Sequence, residues 1–175
     1  MRLRIVLVVL CWALGASAQP YPPPPMARPA PPPPPQFSEW HLAVQTEAAF
    51  GVAPDTFYNH LAGARIDRRF APDVSLGLYL GYANLKGKDG RAHNGLGWAI
   101  LEYRPMVSDT IGIPLRFAPG YLPKNGPLLR SSAGVSFQLA DGVDMVLDLI
   151  TPTVWVTHDQ TVLSFDASAE LGFDL

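Results

Sequence analysis

Residues 161–173 alternate almost without fault between an oily row and a small or acidic row. Leu163, Phe165, Ala167, Ala169, Leu171 and Phe173 fall on one side of an extended chain, and Ser164, Asp166, Ser168, Glu170 and Gly172 on the other. A period of two belongs to a strand, because successive side chains of a strand point to opposite faces. The run is longer than the roughly ten residues a strand needs to cross a bilayer. One face must therefore tolerate lipid and the other polar neighbours. The expectation is a closing strand of a small membrane-spanning barrel.

At the other end, Arg2 and Arg4 precede an apolar stretch over residues 5–14 and the small residues Ala16, Ser17 and Ala18. This is the layout of a secretory signal peptide, which makes residues 1–18 a leader cleaved before Gln19. The apolar run is about half the roughly twenty residues that a spanning helix requires. Cys11 lies inside that run after the bulky Leu10, whereas lipoprotein leaders resemble a small residue followed by cysteine. It is the chain's one cysteine, so cleavage would leave no thiol for disulfides or catalysis. Residues 19–37 are mostly proline, which fixes the backbone and removes the amide hydrogen; they read as a disordered, extended tether. That tether is a spacer or a strip for periplasmic or peptidoglycan contact. Residues 38–175 are one domain.

Seven further segments of that domain alternate as well. Trp40, Leu42, Val44 and Phe50 oppose His41, Gln45 and Glu47; Ala62, Ala64, Ile66 and Phe70 oppose Gly63, Arg65, Asp67 and Arg69. Arg68 breaks the apolar row near a strand end, where an arginine snorkels to headgroups. Val74, Leu76, Leu78, Leu80 and Tyr82 oppose a row of mostly small residues, as a narrow lumen prefers. Leu96, Trp98 and Ile100 face away from Gly95, Gly97 and Ala99, with Glu102 and Tyr103 ambiguous. Ile111, Ile113, Leu115 and Phe117 form a strand in which Pro114 predicts a bulge or weakened pairing. Ala133, Val135 and Phe137 follow, then the hairpin signal Asp141-Gly142. Val143, Met145, Leu147 and Leu149 oppose Asp144 and Asp148, and a register shift is expected near Pro152 before Trp155. Residues 143–150 also fit helical spacing, but the hairpin turn before them and the β-favouring residues 153–157 after them select a strand. The sum is an all-β, eight-stranded antiparallel up-and-down transmembrane β-barrel. Residues 51–56, 86–93, 119–128 and 157–160 are then the outside loops, and the intervening turns are shorter.

Lysine distribution separates a membrane barrel from a soluble one, because water-facing barrels are covered in lysine and glutamate. Lys86, Lys88 and Lys124 are the only lysines, and all three fall in the expected loops. Trp40, Phe50, Phe70, Tyr82, Tyr103, Phe117, Trp155, Phe165 and Phe173 fall near expected strand ends, where interfacial girdles place aromatics; Trp98 is the exception. With these features the chain resembles the small eight-stranded outer-membrane barrel families, the group that includes the outer-membrane protein A barrel. The resemblance implies a Gram-negative outer-membrane location after export, contact with outer-membrane lipids, and a final strand read by the barrel-insertion machinery. That strand usually ends in an aromatic residue, whereas here Asp174 and Leu175 follow Phe173. The peptidoglycan anchoring of larger members is not carried over.

Chemistry is sparse. His41, His60, His93 and His158 show no paired-ligand spacing, so neither a metal nor a cofactor is expected. His158 beside Asp159, or His93 near Asp89, are tied by no spacing to a nucleophile, and read as solvated loop residues with no catalytic role. The net charge of −2 gives no reason for nucleic-acid binding. The leading reading is a non-catalytic envelope protein with a structural or surface-interaction role. The alternatives are a soluble periplasmic barrel binding an apolar ligand and a lipid-modifying outer-membrane enzyme. Inside so narrow a barrel charges must pair. Arg65, Arg69, Arg116 and Arg130 are expected to meet some of Glu47, Asp67, Asp144, Asp148, Asp166 and Glu170 and to plug the lumen.

Overall fold

The computed structural model describes residues 39–175, apart from residues 55, 88–89, 124 and 157–159. The expected leader (1–18) and proline tether (19–37) lie outside the described residues, as do Lys88, Lys124, His158, Asp159 and Asp89. The chain forms strands β1 (Trp40–Ala53), β2 (Phe57–Ala71), β3 (Val74–Gly87), β4 (Gly90–Tyr103), β5 (Ile111–Gly112), β6 (Leu115–Leu122), β7 (Gly126–Ala140), β8 (Val143–Val156) and β9 (Thr161–Asp174). Sequential strands pair antiparallel, and β1 pairs with β9, so the sheet closes on itself. β5 and β6 are two pieces of one strand interrupted at Ile113 and Pro114. Their partners on β7 stay in step, from Gly112 opposite Ser136 to Leu115 opposite Ala133. The architecture is a closed barrel of eight antiparallel strands. Pro114 weakens the pairing as expected, but no bulge forms there.

Closure leaves one inside and one outside, and the period of two decides which side chain goes where. Along β1 the burial strictly alternates from Trp40 to Thr46: His41, Ala43 and Gln45 are buried, and Trp40, Leu42 and Val44 are exposed. On β3, Leu76, Leu78 and Leu80 point outward, with Leu80 63% exposed, while Ser75 and Tyr79 are buried. β9 follows the expected rows throughout, and Ser164, Asp166, Ser168 and Glu170 face inward. Arg68 is exterior, pairs with Glu39 at 3.6 Å, and lies over the rings of Trp40 and Phe70. Residues 143–150 are strand, not helix, and the shift expected near Pro152 falls between Asp148 and Thr151, where Leu149 and Ile150 are both exposed.

Four expectations are corrected. On β4 the direction of the rows is reversed: Leu96, Trp98, Ile100 and Glu102 are buried, and Gly95, Ala99, Leu101 and Tyr103 face out. Trp155, assigned to a girdle, is buried and donates Nε1–H to Ser164 Oγ at 2.9 Å. The loops over residues 86–93 and 119–128 are instead mostly strand. β3 and β4 stay paired to Gly87 opposite Gly90, which puts Lys86 and His93 on strands, and Pro119 pairs with Leu129 inside the β6–β7 ladder. The missing Pro119 amide shows on the other side, where the β4–β6 ladder skips from Trp98–Gly120 to Leu101–Phe117. The expectation of shorter turns at the rim with the termini fails too, because the longest described connection, residues 104–110, lies there.

The Asp141-Gly142 hairpin is present, with positive φ at Gly142 alone (φ 70°). Its carbonyl accepts a bond from Asp174 N–H at 2.8 Å, which ties the last strand to the turn. Gly142→Ala is expected to lose about 1–2 kcal/mol, because a Cβ is disfavoured in the left-handed region. A lower urea midpoint for the refolded protein is the readout, and an unchanged midpoint would refute that role for Gly142.

Candidate functional site

The lumen is built in two zones from side chains that alternation sends inward. Toward the rim with the termini lies an ionic network. Arg116 donates from Nε to Glu102 Oε2 at 2.6 Å, from Nη1 to Asp148 Oδ2 at 3.0 Å and from Nη2 to Glu170 Oε1 at 2.9 Å. Arg65 meets Asp67 at 2.7 Å, Glu102 at 3.1 Å and Glu170 at 3.2 Å. Arg104 donates from Nε to Glu102 Oε1 at 2.7 Å and also pairs with Asp144. Glu102 is thus held by three guanidiniums. Buried ions demand this arrangement, since one left unpaired in a low-dielectric interior is heavily penalised.

Tight packing enforces the pairing. A Cβ at Gly172 would land on Asp144 Oδ1 and His41 Nε2, and one at Gly77 on Asp67 Oδ1. Those glycines make room for the charged groups on neighbouring strands.

Toward the opposite rim the lumen becomes apolar. Ala49, Leu61, Tyr79, Ala83, Leu96, Trp98, Ile100, Leu122, Leu128, Trp155 and Val162 form one buried cluster. A stack joins the two zones. Tyr79 lies on Trp98 with ring centroids 4.0 Å apart and planes 4° from parallel, and Arg130 Cζ sits 4.5 Å from the Trp98 ring centroid. Arg130 in turn donates to both carboxylate oxygens of Glu47, at 3.0 and 2.7 Å. The mid-strand position of Trp98 is therefore that of a lumen residue, against which an arginine gains cation–π stabilisation.

Of the residues expected in the network, Arg65, Arg116 and Arg130 are in it, with Glu47, Asp67, Asp144, Asp148 and Glu170 as partners. Arg69 instead pairs with Asp174 at 2.8 Å in a partly exposed position at the mouth. Asp166 accepts from Thr153 Oγ1 at 2.5 Å. Sequence reasoning missed Glu102, Arg104 and His41. The Nδ1 of His41 meets Asp67 at 3.2 Å and its Nε2 meets Asp144 at 3.0 Å. Both ring nitrogens are occupied by carboxylates, so neither is left to activate a nucleophile.

A polar vestibule of about 170 Å³ opens at the rim with the termini, lined by Arg69, Asp73, Glu102, Arg104, Asp144 and Asp174 among others. A second void of about 10 Å³, bordered by Gln45, Trp98, Arg116 and Asp148, has room for one water.

No family model and no curated protein matches the sequence. Solved structures do match the fold. Neisserial surface protein A is similar at a TM-score of 0.61 and 13% identity, covering 79% of this chain and 98% of that one. The N-terminal β-barrel domain of Pseudomonas aeruginosa OprF is similar at a TM-score of 0.51 and 11% identity, covering 79% and 100%. The Yersinia pestis attachment invasion locus protein Ail, solved with the heparin analogue sucrose octasulfate, is similar at a TM-score of 0.51 and 7% identity, covering 79% and 100%. The resemblance read from the sequence thus holds as a resemblance of fold to small outer-membrane barrels.

Proposed function

We propose that the chain is an integral outer-membrane barrel with a structural or surface-interaction role in the Gram-negative envelope, a lumen closed by its own side chains, and no catalytic activity. One observation carries this reading: a continuous exterior of Leu42, Val44, Ile66, Leu76, Leu78, Leu80, Leu101, Leu115, Phe117, Leu129 and Leu171 surrounds an interior of paired charges. Water-soluble monomers rarely expose an apolar surface of this extent, whereas a barrel in lipid requires it. The strands, 14 residues in β1, β3 and β9, exceed the length needed to span. Apolar rows turned outward count against a soluble barrel holding an apolar ligand. The occupied ring nitrogens of His41 count against lipid-modifying chemistry in the lumen. In this reading outer-membrane lipids contact the exterior, the insertion machinery reads β9, and residues 19–37 act as a tether for periplasmic or peptidoglycan contact.

Alkaline carbonate should leave the protein in the membrane pellet, with detergent required for release; carbonate release would defeat the proposal. The buried apolar cluster stacked on the salt bridges supports a closed lumen, so purified protein in planar bilayers should show little or no steady conductance. A large stable open channel would move the function towards a porin. A deletion strain with an altered lipid profile would reinstate the enzyme.

A further inference from the structure

On the exterior, near the rim away from the termini, the β2–β3–β4 ladders align polar residues in rows. His60 pairs in register with Asn84, and Asn84 with His93; one step nearer the rim, Lys86 pairs with Arg91, and Tyr58 stands on β2. Tyr58, His60, Lys86, Arg91 and His93 are all exposed. These groups are held in place. Arg91 Nη1 donates to Asn84 Oδ1 at 3.1 Å, and its Nη2 donates across β3 to the Tyr58 carbonyl at 3.3 Å. Tyr82 bonds His93 Nδ1 and stacks on its ring at 5.5 Å, while His60 Nε2 bonds Thr46 Oγ1 at 3.0 Å. The bond to Thr46 draws the His60 ring towards β1, whereas His93 keeps its Nε2 uncommitted to Tyr82 on the strand that carries Arg91.

Among the described residues, the charge around these groups has one sign, and the carboxylates lie in the lumen or at the rim with the termini, as Glu39, Asp73, Asp109, Asp141 and Asp174 do. Asp55, Asp89 and Asp159, which the sequence places between β1 and β2, β3 and β4, and β8 and β9, are outside the described residues. Below the polar rows, Ala62, Ala64, Gly95 and Ala99 give β2 and β4 a low exterior profile, with Tyr82, Leu80 and Leu78 of β3 standing between them and Leu80 leaning over Gly97. A cluster of donors at the edge of an apolar belt, above strips shallow enough for an acyl chain, has the polarity of one amphiphile.

We propose that Lys86, Arg91 and His93 form an exterior site for the phosphomonoester headgroup of a membrane lipid in the leaflet at that rim. A phosphomonoester supplies up to two negative charges and three acceptor oxygens to charge-assisted bonds, and a fixed guanidinium is the donor best shaped for them. The proposal rests on the membrane reading above, and its test separates the two.

Full-length protein purified in detergent is titrated with phosphatidic acid, or with diacylglycerol of the same chains, and bound lipid is counted by native mass spectrometry. Phosphatidic acid is expected to bind about tenfold better, and the double variant K86Q/R91Q to lose most of that preference. Both side chains are exposed, so the variant should unfold at the wild-type urea midpoint. Equal binding of the two lipids, or an undiminished preference in K86Q/R91Q, would overturn the site. Displacement of phosphatidic acid by inorganic phosphate at equal concentration would overturn it as a lipid site. Wild-type protein that stays in the carbonate pellet but shows no preference fails this inference alone.

Discussion

Arg116→Ala is expected to destabilise the refolded barrel by about 3–5 kcal/mol, because it strips a common partner from several buried carboxylates at once. Glu102 would retain Arg65 and Arg104, and Glu170 would retain Arg65. Among the described residues, Asp148 would keep the hydroxyl of Ser168, at 2.9 Å, and no cation. That carboxylate would face an interior too crowded to admit bulk water and too polar to collapse around the gap. Arg69→Ala provides the contrast: its pair with Asp174 is partly exposed at the mouth, and a pair of that kind contributes about 0–1 kcal/mol. Urea midpoints of the two variants in one detergent test the distinction. Equal losses would mean that the buried network carries no special share of the stability.

Leu80→Arg is expected to impair insertion by about 2–4 kcal/mol, the range for an arginine on the lipid face near the bilayer midplane. Leu80 lies in the middle of β3 and is 63% exposed on the outside of the barrel. In water the same substitution would add a solvated charge to a surface and leave folding unharmed. The sign of the effect therefore depends on which solvent the exterior meets. The fraction of chains reaching a heat-resistant form in lipid vesicles measures it, and an undiminished yield would count against lipid around β3.

Alternation made the strands legible and gave most of them their direction. On β9 the acidic residues Asp166 and Glu170 share one row, and on β1 Gln45 and Glu47 do, so polarity named the inward face. β4 misled because size and polarity disagree there. Its small residues lie outside, and its largest, Trp98, fills the lumen against Tyr79 and Gly120. The available signal was Glu102, which shares a row with Leu96, Trp98 and Ile100 and marks that row as inward. His41 was legible on the same principle, being in the row of Gln45 and Glu47. Arg104 was not, because it lies past the end of β4 and reaches back to Glu102 and Asp144 only in three dimensions.

Loop lengths were the least legible feature. Glycine and charge over residues 86–93 read as a loop, yet the ladder continues to Gly87 opposite Gly90, since a paired ribbon needs no apolar face once it clears the belt. Trp155 changed faces for a different reason: the irregularity between Asp148 and Thr151 spends an extra residue outside, and Thr151, Thr153 and Trp155 all follow it inward. The sequence marked that place with Pro152.

The membrane assignment is tested most directly at Leu78, whose side chain points outward between Leu76 and Leu80. A Leu78→Cys variant, carrying an environment-sensitive fluorophore and reconstituted into vesicles, should be quenched strongly by lipids brominated deep in the acyl chain and hardly at all by aqueous iodide. Strong quenching by iodide with none from the brominated lipid would place this row in water and contradict the membrane barrel.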